Sequence, residues 1–281
     1  SAASDVYKRQ ILEEINRATF ELAATLFAFA KNKKNTVIWQ QSQVPQVVEV
    51  SYYLSSVVGY TYLQKSHAFK AASAEGKTIS GALFFYPVLM AADILSFNAD
   101  IVPVGEDQLQ HLEICRDMCE KINNRFGLNL KLPKPYLVDS EKTVVGTDGR
   151  KMSKSYGNTL PVFASLDELQ QIVSRIVTDS SPLGTSLQIE KSILYDYLSL
   201  VLPQQELEAI KRDCLEGKLG WGHLKKFVAE SVANYFAEYR QTYLELSKDE
   251  TFLRNLLKEG NEKAKGEAEM IASQFRSLLR F

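Results

Sequence analysis

The stretch Ile101–Phe126, IVPVGEDQLQHLEICRDMCEKINNRF, decides how this chain folds. Ile101 to Val104 is a short apolar, β-branched run that reads as a buried strand. Gly105 turns the chain directly into a helical run from Gln108 to Phe126. A strand, a glycine turn and a helix N-terminus make an anion- and nucleotide-friendly junction, because the first amides of a helix lack intrahelical acceptors.

Upstream of this junction, Ile11, Ile15, Ala18, Leu22, Leu26 and Phe29 recur at helical spacing up to Ala30. Thr36–Trp39, T-V-I-W, reads as another buried strand, and Pro45 opens a helix that reaches about Val58. A polar segment from Gln64 to Lys77 precedes Ser80–Leu95, where Pro87 predicts a helix only from Val88 onward. Met90 and Asp93 then lie on adjacent turns of one face. Downstream, Val144 and Val145 read as a last strand. Strands alternating with helices imply an α/β fold with a Rossmann-like, doubly wound parallel sheet.

Beyond Leu160 the pattern is all-helical. Ser165 and Glu168 form a capping-box start for Leu166–Val177, and helices are predicted over Ser192–Val201, Glu206–Leu215, His223–Leu246 and Glu250–Phe275. The expected organisation is therefore an α/β domain over 11–160 and a helical domain over 161–281. The first ten residues, SAASDVYKRQ, read as a non-native leader and are set aside.

With 281 residues and 45% hydrophobic content, the chain can bury the cores of about two domains. Its net charge of −1 provides no global basic field, so any nucleic acid must be met by local patches. No apolar run approaches the roughly 20 residues that span a bilayer. Cys115, Cys119 and Cys214 form no C-x-x-C pair, which points to reduced core thiols, a cytoplasmic location and no structural metal.

The chemistry-bearing stretch is Lys151–Ser155, K-M-S-K-S, within GTDGRKMSKSYGNT. Two ammonium groups three residues apart can converge on one polyanion, with the hydroxyls of Ser153 and Ser155 between them. Gly146, Gly149 and Gly157 allow close approach and tight turns. Taken alone, K-x-x-K-S is also what an ordinary solvated surface loop looks like.

Together with Tyr86–Leu95, YPVLMAADIL, and Val102–Asp117, VPVGEDQLQHLEICRD, this loop resembles the class I aminoacyl-tRNA synthetases, and within them the bacterial-type tryptophanyl-tRNA synthetases. The likeness runs from about residue 11 to the C-terminus. It implies a ligase that activates L-tryptophan with ATP and Mg2+ and transfers it to tRNA(Trp), acting as a homodimer, with the helical domain binding the anticodon. Lys151 and Lys154 would be catalytic, neutralising the leaving pyrophosphate, with Met152, Ser153 and Ser155 completing the loop's contacts to ATP. Gly105, Glu106 and Asp107 would hold the ribose and adenine, and Val144 would contact adenine. Asp93 would accept the indole N–H, Met90, Val102 and Val104 would wall the ring, and Tyr86 and Gln108 would meet the α-ammonium. From residue types alone, Asp93 could equally be a helix-surface carboxylate paired with a lysine, and Tyr86 and the valines could be core.

One departure stands beside these matches. The family's first signature, a His-containing turn in the first strand–helix unit, is absent, since His67, His111 and His223 lie in no such turn. With the family's strand order 3-2-1-4-5, the Thr36 and Ile101 strands would be strands 3 and 4. The resemblance thus implies an N-terminally truncated chain without its two central strands, inactive in tryptophan activation by itself. The competing readings are a tyrosine enzyme, against which M-A-A-D and G-E-D-Q speak, and a non-catalytic fragment or paralogue that binds nucleotide, tRNA or a partner.

Overall fold

The computed structural model describes residues 2–76, 78–137 and 144–278, with side chains from Glu13 onward except at 67, 68 and 107. In chain order its elements are α1 (Ala2–Ala30), α2 (Pro45–Ser55), α3 (Tyr60–Leu63), α4 (His67–Ala74), α5 (Gly81–Leu95), β1 (Ile101–Val104), α6 (Leu109–Phe126), β2 (Lys134–Leu137), α7 (Leu166–Ser174), α8 (Ile193–Val201), α9 (Gln204–Leu215), α10 (Trp221–Tyr235), α11 (Ala237–Lys248) and α12 (Glu250–Leu278). The chain forms two compact units, one of Ser1–Lys34 with Glu141–Glu250 and one of Asn35–Ser140 with Thr251–Phe281. These do not divide at Leu160. The segment before Leu160 that carries K-M-S-K-S belongs with the helices that follow it, and α12 returns to the α/β unit.

In the α/β unit, β1 and β2 pair in parallel with Val102 opposite Pro135 and Val104 opposite Leu137, and α6 is the crossover between them. This is the strand–helix–strand unit of a Rossmann-like fold. Its core is built by Val47, Val50 and Leu54 of α2, Val88, Ala91 and Leu95 of α5, Leu112, Cys115, Met118 and Ile122 of α6, and Ala268, Ala272 and Phe275 of α12. Cys115 and Cys119 are buried on this face, and burial pushes their thiols up to about 12 and about 11. They pack as small apolar groups, not as nucleophiles.

The second unit is helical. Leu169 and Val173 of α7, Leu194 and Leu198 of α8, and Leu224, Val228 and Ala229 of α10 make its core. The Ser165–Glu168 capping box forms as the sequence predicts. Phe29 of α1 stacks on Phe163 at 5.6 Å and meets Tyr239 of α11 at 4.8 Å. No helix among the described residues is long and apolar enough to cross a membrane.

Four further expectations change. Thr36–Trp39 is not a strand: Trp39 packs on Phe97 at 5.0 Å, and the Ile38 carbonyl lies against Gly260 of α12. The run is buried in part by a helix and an aromatic ring, which satisfies its apolar pattern without a ladder. Val144–Val145 joins no parallel sheet among the described residues. Val145 makes an isolated antiparallel bridge to Lys151, and Met152 N donates to Val144 O at 3.0 Å. The helix α5 runs through Pro87. Proline in a helix interior costs about 3 kcal/mol, but burying Val88, Ile94 and Leu95 returns about 1.5–3 kcal/mol each, so burial wins. Finally, His223–Leu246 divides into α10 and α11 at Phe236.

Candidate active site

The α/β unit carries one group of candidate residues. Tyr86, Met90 and Asp93 follow one another at helical spacing on α5, so they share a face. Val102 and Val104 share a face of β1, and Met90, Val102 and Val104 all join the unit's apolar cluster. Gly105 leads into a 3-10 turn, Glu106–Gln108, that delivers Gln108 to the start of α6. Gln108 N closes this turn on Gly105 O at 3.0 Å. Gly105 has φ −77, so the turn does not depend on left-handed backbone there. Glu106 is exposed, and the Asp107 side chain lies outside the described residues.

Asp93 is half-buried, and its partner is an amide: Gln41 Nε2 donates to both carboxylate oxygens, at 2.7 and 2.8 Å. Burial raises the Asp93 pKa and the Gln41 bond lowers it. The lysine pairing considered for Asp93 does not occur among the described residues. Tyr86 Oη lies 2.7 Å from His111 Nε2, with the rings edge to face at 5.1 Å. Burial raises the phenol's pKa, and which of the two groups donates in this bond depends on the imidazole tautomer.

The helical unit carries the second group. Asn158, buried and at the loop's end, organises the K-M-S-K-S loop. Its Oδ1 accepts from Ser153 N at 2.8 Å, and its Nδ2 donates to Lys151 O at 3.1 Å and Asp148 Oδ1 at 2.7 Å. A Cβ on Gly146 would come within 2.2 Å of Asn158 Nδ2, so residue 146 must lack a side chain. Gly149 and Gly157, at φ 84 and 63, make the two left-handed turns that bend the loop. Asp148 accepts from Arg150 Nε at 2.8 Å, and these hydrogen bonds hold its carboxyl down at about 2. Arg150 in turn lies over the Tyr156 ring at 4.6 Å.

Met152 packs on the helical core, while Lys151, Lys154 and Ser155 are exposed. Neither the Lys151 nor the Lys154 ammonium has a carboxylate partner among the described residues, and Ser153 Oγ and Ser155 Oγ lie 2.8 Å apart. Two unpaired cations beside two hydroxyls, on a backbone pinned from below, can receive a polyanion without first breaking an ion pair. Val144 is exposed, and its carbonyl holds the loop by accepting from Met152 N. The sequence alone assigns no site role to Gln41, His111 or Asn158. Only Asn158 carried a local signal, as a short polar residue after a glycine at the end of the loop.

Residues 2–237 match the family profile of the class I tRNA synthetases (W and Y). The chain is 37% identical over 264 residues to the tryptophan–tRNA ligase of Rhodopirellula baltica, covering 94% of this chain and 82% of that protein. This chain belongs to the tryptophan–tRNA ligase family. Another family relative, from Fusobacterium nucleatum, is 38% identical over 256 residues, covering 90% of this chain and 78% of its own length. Among solved structures, the tryptophanyl-tRNA synthetase of Campylobacter jejuni complexed with ADP and tryptophan aligns with TM-score 0.84 at 36% identity, over 95% of this chain and 82% of that one. A tyrosyl-tRNA synthetase from Archaeoglobus fulgidus, at 18% identity and TM-score 0.56, shares the fold with this tryptophan–tRNA ligase family member.

Proposed function

We propose that the native enzyme carries out ATP-dependent activation of L-tryptophan and its transfer to tRNA(Trp), with Asp93 reading the indole. The observation that carries this reading is the half-buried Asp93 carboxylate, met by the Gln41 amide and by no cation among the described residues, on the same helix face as Tyr86 and Met90. A carboxylate partly removed from water requires donors, and the indole N–H is donor-only. Met90, Val102 and Val104 wall the ring. Tyr86 Oη and Gln108 accept from the α-ammonium.

In the first step a carboxylate oxygen of tryptophan attacks the α-phosphorus of ATP, the bond to the bridging oxygen breaks, and pyrophosphate leaves. The nucleophile is already ionised, so no general base is needed. Charge builds on the leaving pyrophosphate, and Lys151 and Lys154 neutralise it while Ser153 and Ser155 donate to its oxygens. Gly105, Glu106 and Asp107 hold the ribose and adenine, with Val144 against the base. In the second step a terminal ribose hydroxyl of tRNA attacks the carbonyl of the adenylate and AMP leaves. Mg2+ enters as part of the MgATP substrate. A metal carried by phosphate oxygens needs no protein cage.

By the family resemblance, the helices beyond Leu160 take the tRNA, the enzyme works in the cytoplasm, and it pairs as a homodimer. The test of the function is exchange of labelled pyrophosphate into ATP by the native enzyme. Tryptophan supports it; an enzyme indifferent to tryptophan refutes the reading.

A further inference from the structure

The bond that holds Asp93 comes from a residue on a different element. A single nitrogen, Gln41 Nε2, spans both Asp93 oxygens almost symmetrically, at 2.7 and 2.8 Å. Gln41 is delivered by a short segment fixed at several points. Its carbonyl accepts from Val44 N at 3.1 Å, and Val44 is fully buried. The preceding Gln40 N donates to Asn261 Oδ1 of α12 at 2.8 Å. Two residues earlier the Ile38 carbonyl sits where a Cβ on Gly260 would approach to 1.9 Å, so this stretch lies directly on the bare helix backbone. The anchors surround an otherwise exposed glutamine whose amide is committed to one carboxylate.

A carboxylate offers about four lone-pair sites, and one amide N–H shared between its oxygens leaves the others open to a second donor. Burial favours the neutral form of Asp93, which is a poorer acceptor and carries a proton of its own. The Gln41 bond acts against that and also removes the carboxylate's freedom to rotate toward water.

We propose that Gln41 is a specificity-positioning residue, whose amide holds the Asp93 carboxylate in the orientation that accepts the indole N–H of tryptophan. This rests on the tryptophan reading of Asp93 above and adds to it the group that keeps the acceptor aligned. Gln41 touches the acceptor, not the reacting atoms. Its loss changes selectivity for the N–H and leaves the apolar part of ring binding in place.

The experiment measures equilibrium binding of tryptophan and of 3-benzothienylalanine, in which sulfur replaces the indole N–H. The proteins are wild type, Gln41→Met, Gln41→Glu and Asp93→Ala. Gln41→Met keeps the side-chain length without the donor and should reduce the preference for tryptophan about tenfold, the worth of one weakened hydrogen bond to a charged acceptor. Its affinity for benzothienylalanine should stay at the wild-type value, which also serves as the control for folding. Gln41→Glu sets acceptor against acceptor and should reduce the preference further. An unchanged preference in both Gln41 variants, or an equal loss for both ligands, overturns the proposal. A wild-type protein without preference for tryptophan, or an Asp93→Ala variant that retains it, would instead remove the reading of Asp93 itself.

Discussion

The Lys151–Ser155 loop and the Asp93 face of α5 differ in where their support comes from. The loop is self-contained: Gly146, Asp148, Asn158 and the backbone of Lys151 and Ser153 hold one another within a single short stretch of chain. Asp93 is held by distant parts of the chain, through Gln41 and, behind it, Asn261 and Gly260. The chemistry differs in the same way. The loop presents exposed cations with no carboxylate partner among the described residues, which suits charge that appears only as a bond breaks. Asp93 presents a half-buried acceptor already aligned, which suits recognition of a group that does not change during the reaction. The comparison therefore separates rate from selectivity: the loop should govern turnover, and the α5 face should govern which amino acid enters.

The sharpest way to break that separation is Lys154→Ala, or similarly Lys151→Ala, in the native enzyme. Lost electrostatic stabilisation of a leaving group costs about 10²–10³ in rate, and tryptophan binding should be nearly unchanged. Single-turnover adenylate formation with a parallel tryptophan titration measures both. Wild-type turnover in either variant would sink the role of that lysine. Asp93→Ala should do the converse and cost on the order of 2–3 kcal/mol in discrimination for tryptophan, the scale of a hydrogen bond to a charged group. Competition binding with tyrosine reads it, and an unaltered ratio would leave Asp93 without its assigned task.

A smaller effect sharpens the loop's side of the comparison. Gly146→Ala places a methyl group within 2.2 Å of Asn158 Nδ2. Asn158 must move, and the Ser153 amide loses its acceptor. The local cost is about 1–3 kcal/mol, to be read as faster hydrogen exchange at the Ser153 amide and a rise of about tenfold in the KM for ATP. If exchange at Ser153 is unaffected, the loop is not organised through Asn158.

The same contrast explains what could be read from the sequence. The β1–α6 junction, the Ser165 capping box and the K-M-S-K-S loop are encoded by neighbouring residues, and each forms where local pattern places it. The Thr36–Trp39 and Val144–Val145 runs have strand composition but, among the described residues, no ladder partner beyond one bridge at Val145, because pairing depends on segments far away in the chain. The β2 strand, Lys134–Leu137, was missed for the related reason that Lys134 and Pro135 disguise it, and Pro135 is tolerated at an edge. Pro87 misled because the cost of its ring is local while the burial that outweighs it is not. Among the candidate residues, Asp93 was legible as an acid in an apolar context. Gln41 and His111 were not, since a hydrogen bond between α5 and another element leaves no periodicity in either segment.

Amino-acid-dependent pyrophosphate exchange by the native enzyme, run with tryptophan and with tyrosine, bears most directly on the role of Asp93. A carboxylate aligned for an indole N–H rejects a ring that cannot place a donor there. Exchange should proceed with tryptophan and stay at background with tyrosine. Tyrosine supporting exchange as well as tryptophan does would contradict the assignment of Asp93 and, with it, the specificity proposed for this chain.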